Sequence, residues 1–118
     1  MQGSESATMT RKARGRQSEI LLAKYLNAHG FNVFATTSGA GGSDILGMEG
    51  VDWEVKSRRN FDPSGLLRQL ERRSQETGLG LGVMRLNGQG EASIDDWVGI
   101  IRLADLVYLL KAAGYGQR

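Results

Sequence analysis

Asp44 heads one short apolar run, Asp44-Ile45-Leu46. A second run, Val51-Asp52-Trp53-Glu54-Val55-Lys56-Ser57, follows after a Met48–Gly50 turn. Side chains along a β-strand alternate between its faces, so Asp52, Glu54 and Lys56 share one face and Val51, Trp53 and Val55 take the other. Carboxylates and an ammonium gathered on a sheet are costly to desolvate unless something offsets them. A divalent metal with an activated water is such a partner. Asp44 and Glu54 are the hard oxygen ligands that Mg²⁺ prefers.

The elements that must position these groups are legible on either side. Residues 1–14 are small, polar and basic without apolar period, and read as a disordered basic arm. A single domain over 15–118 follows. Its first helix is expected from about Arg16 to His29, with Leu22, Ala23 and Leu26 as the apolar stripe, widened by Ile20, Leu21 and Tyr25. Gly30 suits its C-cap. Glu19 continues that stripe, so it either meets the other acids or is a first-turn glutamate favoured by the helix dipole. Strands are expected at Phe31–Thr36, Ser43–Gly47 and Val51–Ser57, with a glycine-rich loop holding Ser38 between the first two. A helix over Ser64–Glu76, capped by Asp62 or Ser64, turns Leu66, Leu67 and Leu70 inward. A buried strand Leu79–Leu86, a strand Trp97–Arg102 and a helix Ala104–Ala113, with Leu106, Leu109 and Leu110 inward, complete the chain. The order αβββαβ, then β and α, predicts an α/β fold with a mixed central sheet.

The chain has 118 residues, 15 Lys and Arg against 13 Asp and Glu, one histidine and no cysteine. Disulfides and thiolate zinc sites are excluded, and His29 alone makes no histidine cluster. No apolar run reaches the ~20 residues of a membrane span, so a soluble, intracellular protein without a membrane partner is expected. The net charge of +2 is unevenly spread. Arg11, Lys12, Arg14 and Arg16 lie near the start, Arg58 and Arg59 directly after the Glu-x-Lys strand, and Arg68, Arg72 and Arg73 on the next helix. Each alone reads as a solvated side chain. Together, around a carboxylate site, they suit a polyanion such as nucleic acid.

These residues resemble the PD-(D/E)xK nuclease superfamily: Asp44, then Glu54-Val55-Lys56, with Glu19 on the preceding helix and Gln69 on the following one. Within it, Gly15-Arg16-Gln17-Ser18-Glu19, Gly30-Phe31-Asn32-Val33, Ser38-Gly39, Glu54-Val55-Lys56-Ser57 and Leu103-Ala104-Asp105-Leu106 are most similar to archaeal-type Holliday junction resolvases and their phage relatives. The likeness covers roughly residues 11 to 110. Ser43 stands where the motif has proline.

The resemblance implies a restriction-endonuclease-like αβββαβ core and a Mg²⁺-dependent endodeoxyribonuclease, with Mn²⁺ as a substitute, that resolves four-way junctions. Asp44, Glu54, the Val55 carbonyl and Glu19 would serve the metal. Lys56 would orient the attacking water, and Ser38 would bond the scissile phosphate or a metal-bound water. Arg11, Lys12, Arg14, Arg16, Arg58, Arg59, Gln69, Arg72 and Arg73 would meet DNA. A homodimer is implied, because symmetric cutting of a junction needs two sites. So is a cytoplasmic, DNA-associated protein of a kind phages also encode. A nickase, a flap or end nuclease and a non-catalytic DNA-binding protein are the competing readings.

Overall fold

A computed structural model of the chain describes residues 11–36, 43–57 and 61–116, and within these the side chains of all but residues 11, 57, 76 and 77. Helix α1 is Arg11–Ala28, β1 Phe34–Ala35, β2 Ile45–Leu46, β3 Val51–Ser57, α2 Pro63–Thr77, β4 Leu79–Arg85, β5 Val98–Ile100 and α3 Leu103–Ala112. A 3₁₀ turn, Glu91–Asp96, precedes β5. The expected αβββαβ-then-βα order is observed. Strands β3 and β4 pair in parallel and β4 and β5 antiparallel, so this three-stranded sheet is mixed. Strands β1 and β2 form a separate antiparallel pair rather than joining one central sheet.

Helix α1 begins at Arg11 rather than near Arg16, so residues 11–14 are helical and not part of a disordered arm. Arginine, lysine and alanine are good helix formers and need no buried stripe to extend a helix already anchored downstream. The anchor is Leu22, Ala23 and Leu26, all buried as expected, whereas Ile20 is exposed. The helix ends in a Schellman motif. Gly30 N–H donates to the Asn27 carbonyl and Phe31 N–H to that of Leu26, with Gly30 at φ 99°.

Strand β1 is shorter than expected because the Asn27 side chain takes both backbone groups of Val33. Its Nδ2 donates to the Val33 carbonyl at 2.9 Å, and its Oδ1 accepts from Val33 N–H at 2.7 Å. One core joins α1 to the sheet, with Leu22, Leu26, Val33, Ile45, Trp53, Val83 and Trp97 buried in it. On the other face, Leu66 and Leu70 of α2 pack inward, while Leu67 points outward, against expectation.

The last helix departs most from expectation. Leu106, Leu109 and Leu110 were expected inward, yet they are 37, 38 and 40 % exposed and no residue of α3 is buried. Leu103, Leu106, Val107, Leu109 and Leu110 do share one side at helical period, but that side is not turned into the core. Its described anchor is polar: Asp105 accepts a hydrogen bond from the Ser74 hydroxyl at 3.0 Å and pairs with Arg102. Among the described residues no helix is long and apolar enough to cross a membrane.

Candidate active site

Period two on β3 is realised as expected. Trp53 is buried in the core, and Asp52 and Glu54 meet Arg73 of α2. Arg73 Nη1 lies 3.3 Å from Asp52 Oδ1, and Nη2 lies 3.6 Å from Glu54 Oε1. Lys56 Nζ stands 3.5 Å from Glu54 Oε2, so both oxygens of Glu54 face a cation. Asp52 is buried, at 8 % exposure.

Strand β4 makes this approach possible. Gly80 pairs laterally with Asp52, and Gly82 with Glu54. A Cβ on Gly80 would fall 2.8 Å from the Leu70 carbonyl oxygen and 3.1 Å from Arg73 Cβ. The two glycines leave a shallow trough in which α2 lies, and Arg73 reaches across it to β3. They weaken β4 as a strand in isolation and set the height of the helix above it.

Asp44 reaches the same strand from its edge. Val55 N–H donates to Asp44 Oδ2 at 2.8 Å, and Asp44 N–H donates to the Trp53 carbonyl at 2.9 Å. Ser43 completes the junction: its hydroxyl accepts from Trp53 N–H at 2.8 Å and donates to the Ile45 carbonyl at 2.6 Å. Burial pushes the Asp44 carboxyl above its ordinary value, against the Val55 N–H, Lys56 and Arg73, which pull it down. Burial likewise raises Glu54, and the Asp44 charge adds to the rise, while Lys56 and Arg73 oppose it.

Glu19 belongs to this group electrostatically. Burial raises its pKa first and the Asp44 charge next; Arg16, whose Nη1 is 4.0 Å from Glu19 Oε1, lowers it, and the Glu54 charge raises it. The Asp44 charge thus disfavours the ionised forms of both Glu19 and Glu54, a field that a cation would relieve. Among the described residues no three acidic or imidazole side chains converge tightly enough to hold an ion together. The donor chemistry suits Mg²⁺ as a two-carboxylate set, Asp44 and Glu54, with Glu19 acting through water, because Mg²⁺ keeps several waters and binds few protein ligands directly.

The remaining expected residues divide. Ser38, Arg58 and Arg59, and the side chain of Arg11, lie outside what is described. Val55 uses its N–H on Asp44 and packs its side chain against the core. Lys12, Arg14 and Arg72 are exposed, while Arg16 and Gln69 are half-buried. Arg73 is an inner counter-ion to Asp52 and Glu54, at 11 % side-chain exposure. Helix phase carried the signal: Arg73 lies three residues after Leu70 and seven after Leu66, on the buried stripe. Arg85 was not singled out at all. No protein-family model, curated protein or solved structure matches this chain.

Proposed function

We propose that this chain is a metal-dependent, structure-selective DNA endonuclease of the PD-(D/E)xK type, with a restriction-endonuclease-like core and four-way junctions as its substrate. The observation that carries this reading is the Val55 N–H to Asp44 hydrogen bond. It draws an acid from a separate chain segment onto the strand that presents Glu54 and Lys56, beside Glu19. Asp44 and Glu54 would hold Mg²⁺, or Mn²⁺ in its place, with the Val55 carbonyl and Glu19 as further candidates.

When bound, the metal supplies an acidified water and positive charge at the phosphate. Lys56 orients the attacking water and offsets charge gathering on the phosphoryl oxygens. Arg73 holds Glu54 in place and limits its rise in pKa. The water oxygen bonds to phosphorus as the P–O3′ bond breaks in line. The proton that the water gives up is returned, through solvent, to the leaving 3′ oxygen, so the products are a 5′-phosphate and a 3′-hydroxyl. The exposed cations Lys12, Arg14 and Arg72 are suited to backbone phosphates. The protein would then be cytoplasmic and DNA-associated.

Resolution of a junction also calls for a twofold dimer, and α3 offers a face for it. Leu103, Leu106, Val107, Tyr108, Leu109, Leu110 and Tyr115 are 37 to 74 % exposed.

The test is a panel of four-way junction, flap, nicked and linear DNA with and without Mg²⁺. Cleavage is expected on the junction, only with metal, and is lost in Asp44→Asn, Glu54→Gln and Lys56→Ala. Undiminished cleavage by all three variants refutes the proposal. Salt-sensitive binding with no cleavage in Mg²⁺ or Mn²⁺ makes the chain a non-catalytic DNA-binding protein. Preference for a flap, nick or end moves it to that substrate.

A further inference from the structure

Arg85 closes β4 beside Ser57, one residue past Lys56 in the lateral register of β3 and β4. It turns toward α1. Its Nε donates to the Gln89 carbonyl at 2.7 Å, and its Nη1 donates to Gln17 Oε1 at 3.2 Å and Ser18 Oγ at 3.1 Å. The guanidinium also lies 5.5 Å from the centroid of the Trp97 ring. Ser18 in turn donates to the Arg14 carbonyl at 3.0 Å, so the guanidinium is seated against the turn of α1 that carries Arg14. All these acceptors are neutral. Among the described residues no carboxylate pairs with either Arg85 or Arg14.

A half-buried cation that is rigidly held and lacks a counter-charge is an unbalanced arrangement. Every other inward-facing cation of the site has an acid: Arg73 has Asp52 and Glu54, Lys56 has Glu54, and Arg16 has Glu19. Burial and the Arg14 charge both pull the Arg85 pKa below its ordinary value, as expected where two cations share a region that an anion would complete. With Nε and Nη1 held by neutral acceptors, Nη2 is the nitrogen left to donate to a phosphate oxygen, from a guanidinium whose plane is already fixed. Its place at the carboxyl ends of two parallel strands is where α/β sheets receive ligands.

We infer that Arg85 forms a binding site for a backbone phosphate of DNA, with Arg14, on the turn of α1 against which it is seated, adding to the positive charge there. The inference rests on the nuclease reading for the identity of the anion. Arg85 positions DNA and takes no part in bond breaking. Gln17, Ser18 and Trp97 hold it in place.

The test measures affinity for a junction DNA against salt, in EDTA so that nothing is cut, for the wild type, Arg85→Gln, Arg85→Lys and Arg14→Gln. Arg85→Gln and Arg14→Gln should each weaken binding and lower the slope of log K against log [salt] by about 1. Arg85→Lys should keep the slope yet lose affinity, because the fixed planar donor is gone while the charge remains. Thermal melting follows folding, and the exposed Arg14 gives a variant with little structural burden. Inorganic phosphate at matched ionic strength should compete only weakly, whereas competition as strong as that of DNA assigns the site to free phosphate. An unchanged slope in both glutamine variants overturns the inference, even if the wild type cleaves. A reduced slope in a protein that never cleaves sustains it while the nuclease reading fails.

Discussion

Removing Arg73 should be the most damaging single change that spares the hydrophobic core. Its guanidinium is 11 % exposed, and the Asp52 and Glu54 side chains it spans are 11 and 14 % exposed. Arg73→Met keeps most of the packing under α2, strands Asp52 with little solvent and leaves Glu54 only Lys56 as a counter-charge. Breaking a buried pair by deleting one partner costs about 3–5 kcal/mol, against ~1 kcal/mol or less for an exposed pair. At about 4 °C per kcal/mol for a chain of this size, the melting temperature should fall by roughly 12–20 °C at neutral pH. Part of that loss should return in acid. Without Arg73 the Glu54 carboxyl is pushed higher still, and protonating it relieves a charge that Lys56 alone then balances.

The double variant Asp52→Asn with Arg73→Met should be more stable than Arg73→Met alone, a non-additivity that a surface charge would not give. Melting curves of the wild type, both single variants and the double variant at neutral and mildly acidic pH make the assay. A fall of less than about 4 °C for Arg73→Met, or strict additivity, would refute the buried-clamp account.

The carboxyls of Glu19, Asp44 and Glu54 are all raised in the folded state, so the folded chain binds more protons than the unfolded one just above the ordinary carboxylate range. Stability should therefore decline as pH rises from that range through the raised values. Asp44→Asn should flatten the decline and raise the melting temperature at neutral pH, and a steeper decline in that variant contradicts the assignment. Gly80→Ala places a Cβ against helix backbone and should cost about 1–3 kcal/mol, whereas Gly82→Ala, whose nearest neighbour is a side-chain atom at 3.3 Å, should cost less; thermal melts giving the reverse order would count against the trough. Light scattering should find a dimer that Leu106→Lys with Leu110→Lys converts to a folded monomer, and a monomeric wild type at micromolar concentration removes α3 as the dimer face.

Strand β3 was legible to the residue because its alternation is strict: Val51, Trp53 and Val55 against Asp52, Glu54 and Lys56. The stripe Leu22, Ala23 and Leu26 was legible for the same reason at helical period. What could not be read was any feature in which a side chain replaces backbone. Asn27 occupies Val33 and shortens β1, an effect that strand propensity over 31–36 does not contain. The exposure of α3 could not be read from its apolar stripe, because periodicity says which residues share a face and not what covers that face. Arg73 was hidden by its neighbour. The pair Arg72-Arg73 reads as a surface run until each is phased separately against Leu66 and Leu70.

The same principle bears on Ser43, the one visible departure from the motif. Its hydroxyl occupies Trp53 N–H, and the Asp44 carboxylate occupies Val55 N–H, so successive same-edge donors of β3 are taken by adjacent side chains instead of a neighbouring strand. That accounts for a two-residue β2 which does not merge with the main sheet. It also fixes the spacing of Asp44 from Glu54 by hydrogen bonding, because a slip of one residue would present Asp44 with a residue whose N–H faces the other edge. One oxygen of Asp44 is thus committed to the strand, and chemistry at this position must proceed through the carboxylate's other oxygen. In the proposed enzyme the fold and the metal would share a single side chain. Asparagine, which can keep the Val55 bond through its carbonyl, therefore separates the two roles more cleanly than alanine, which removes both.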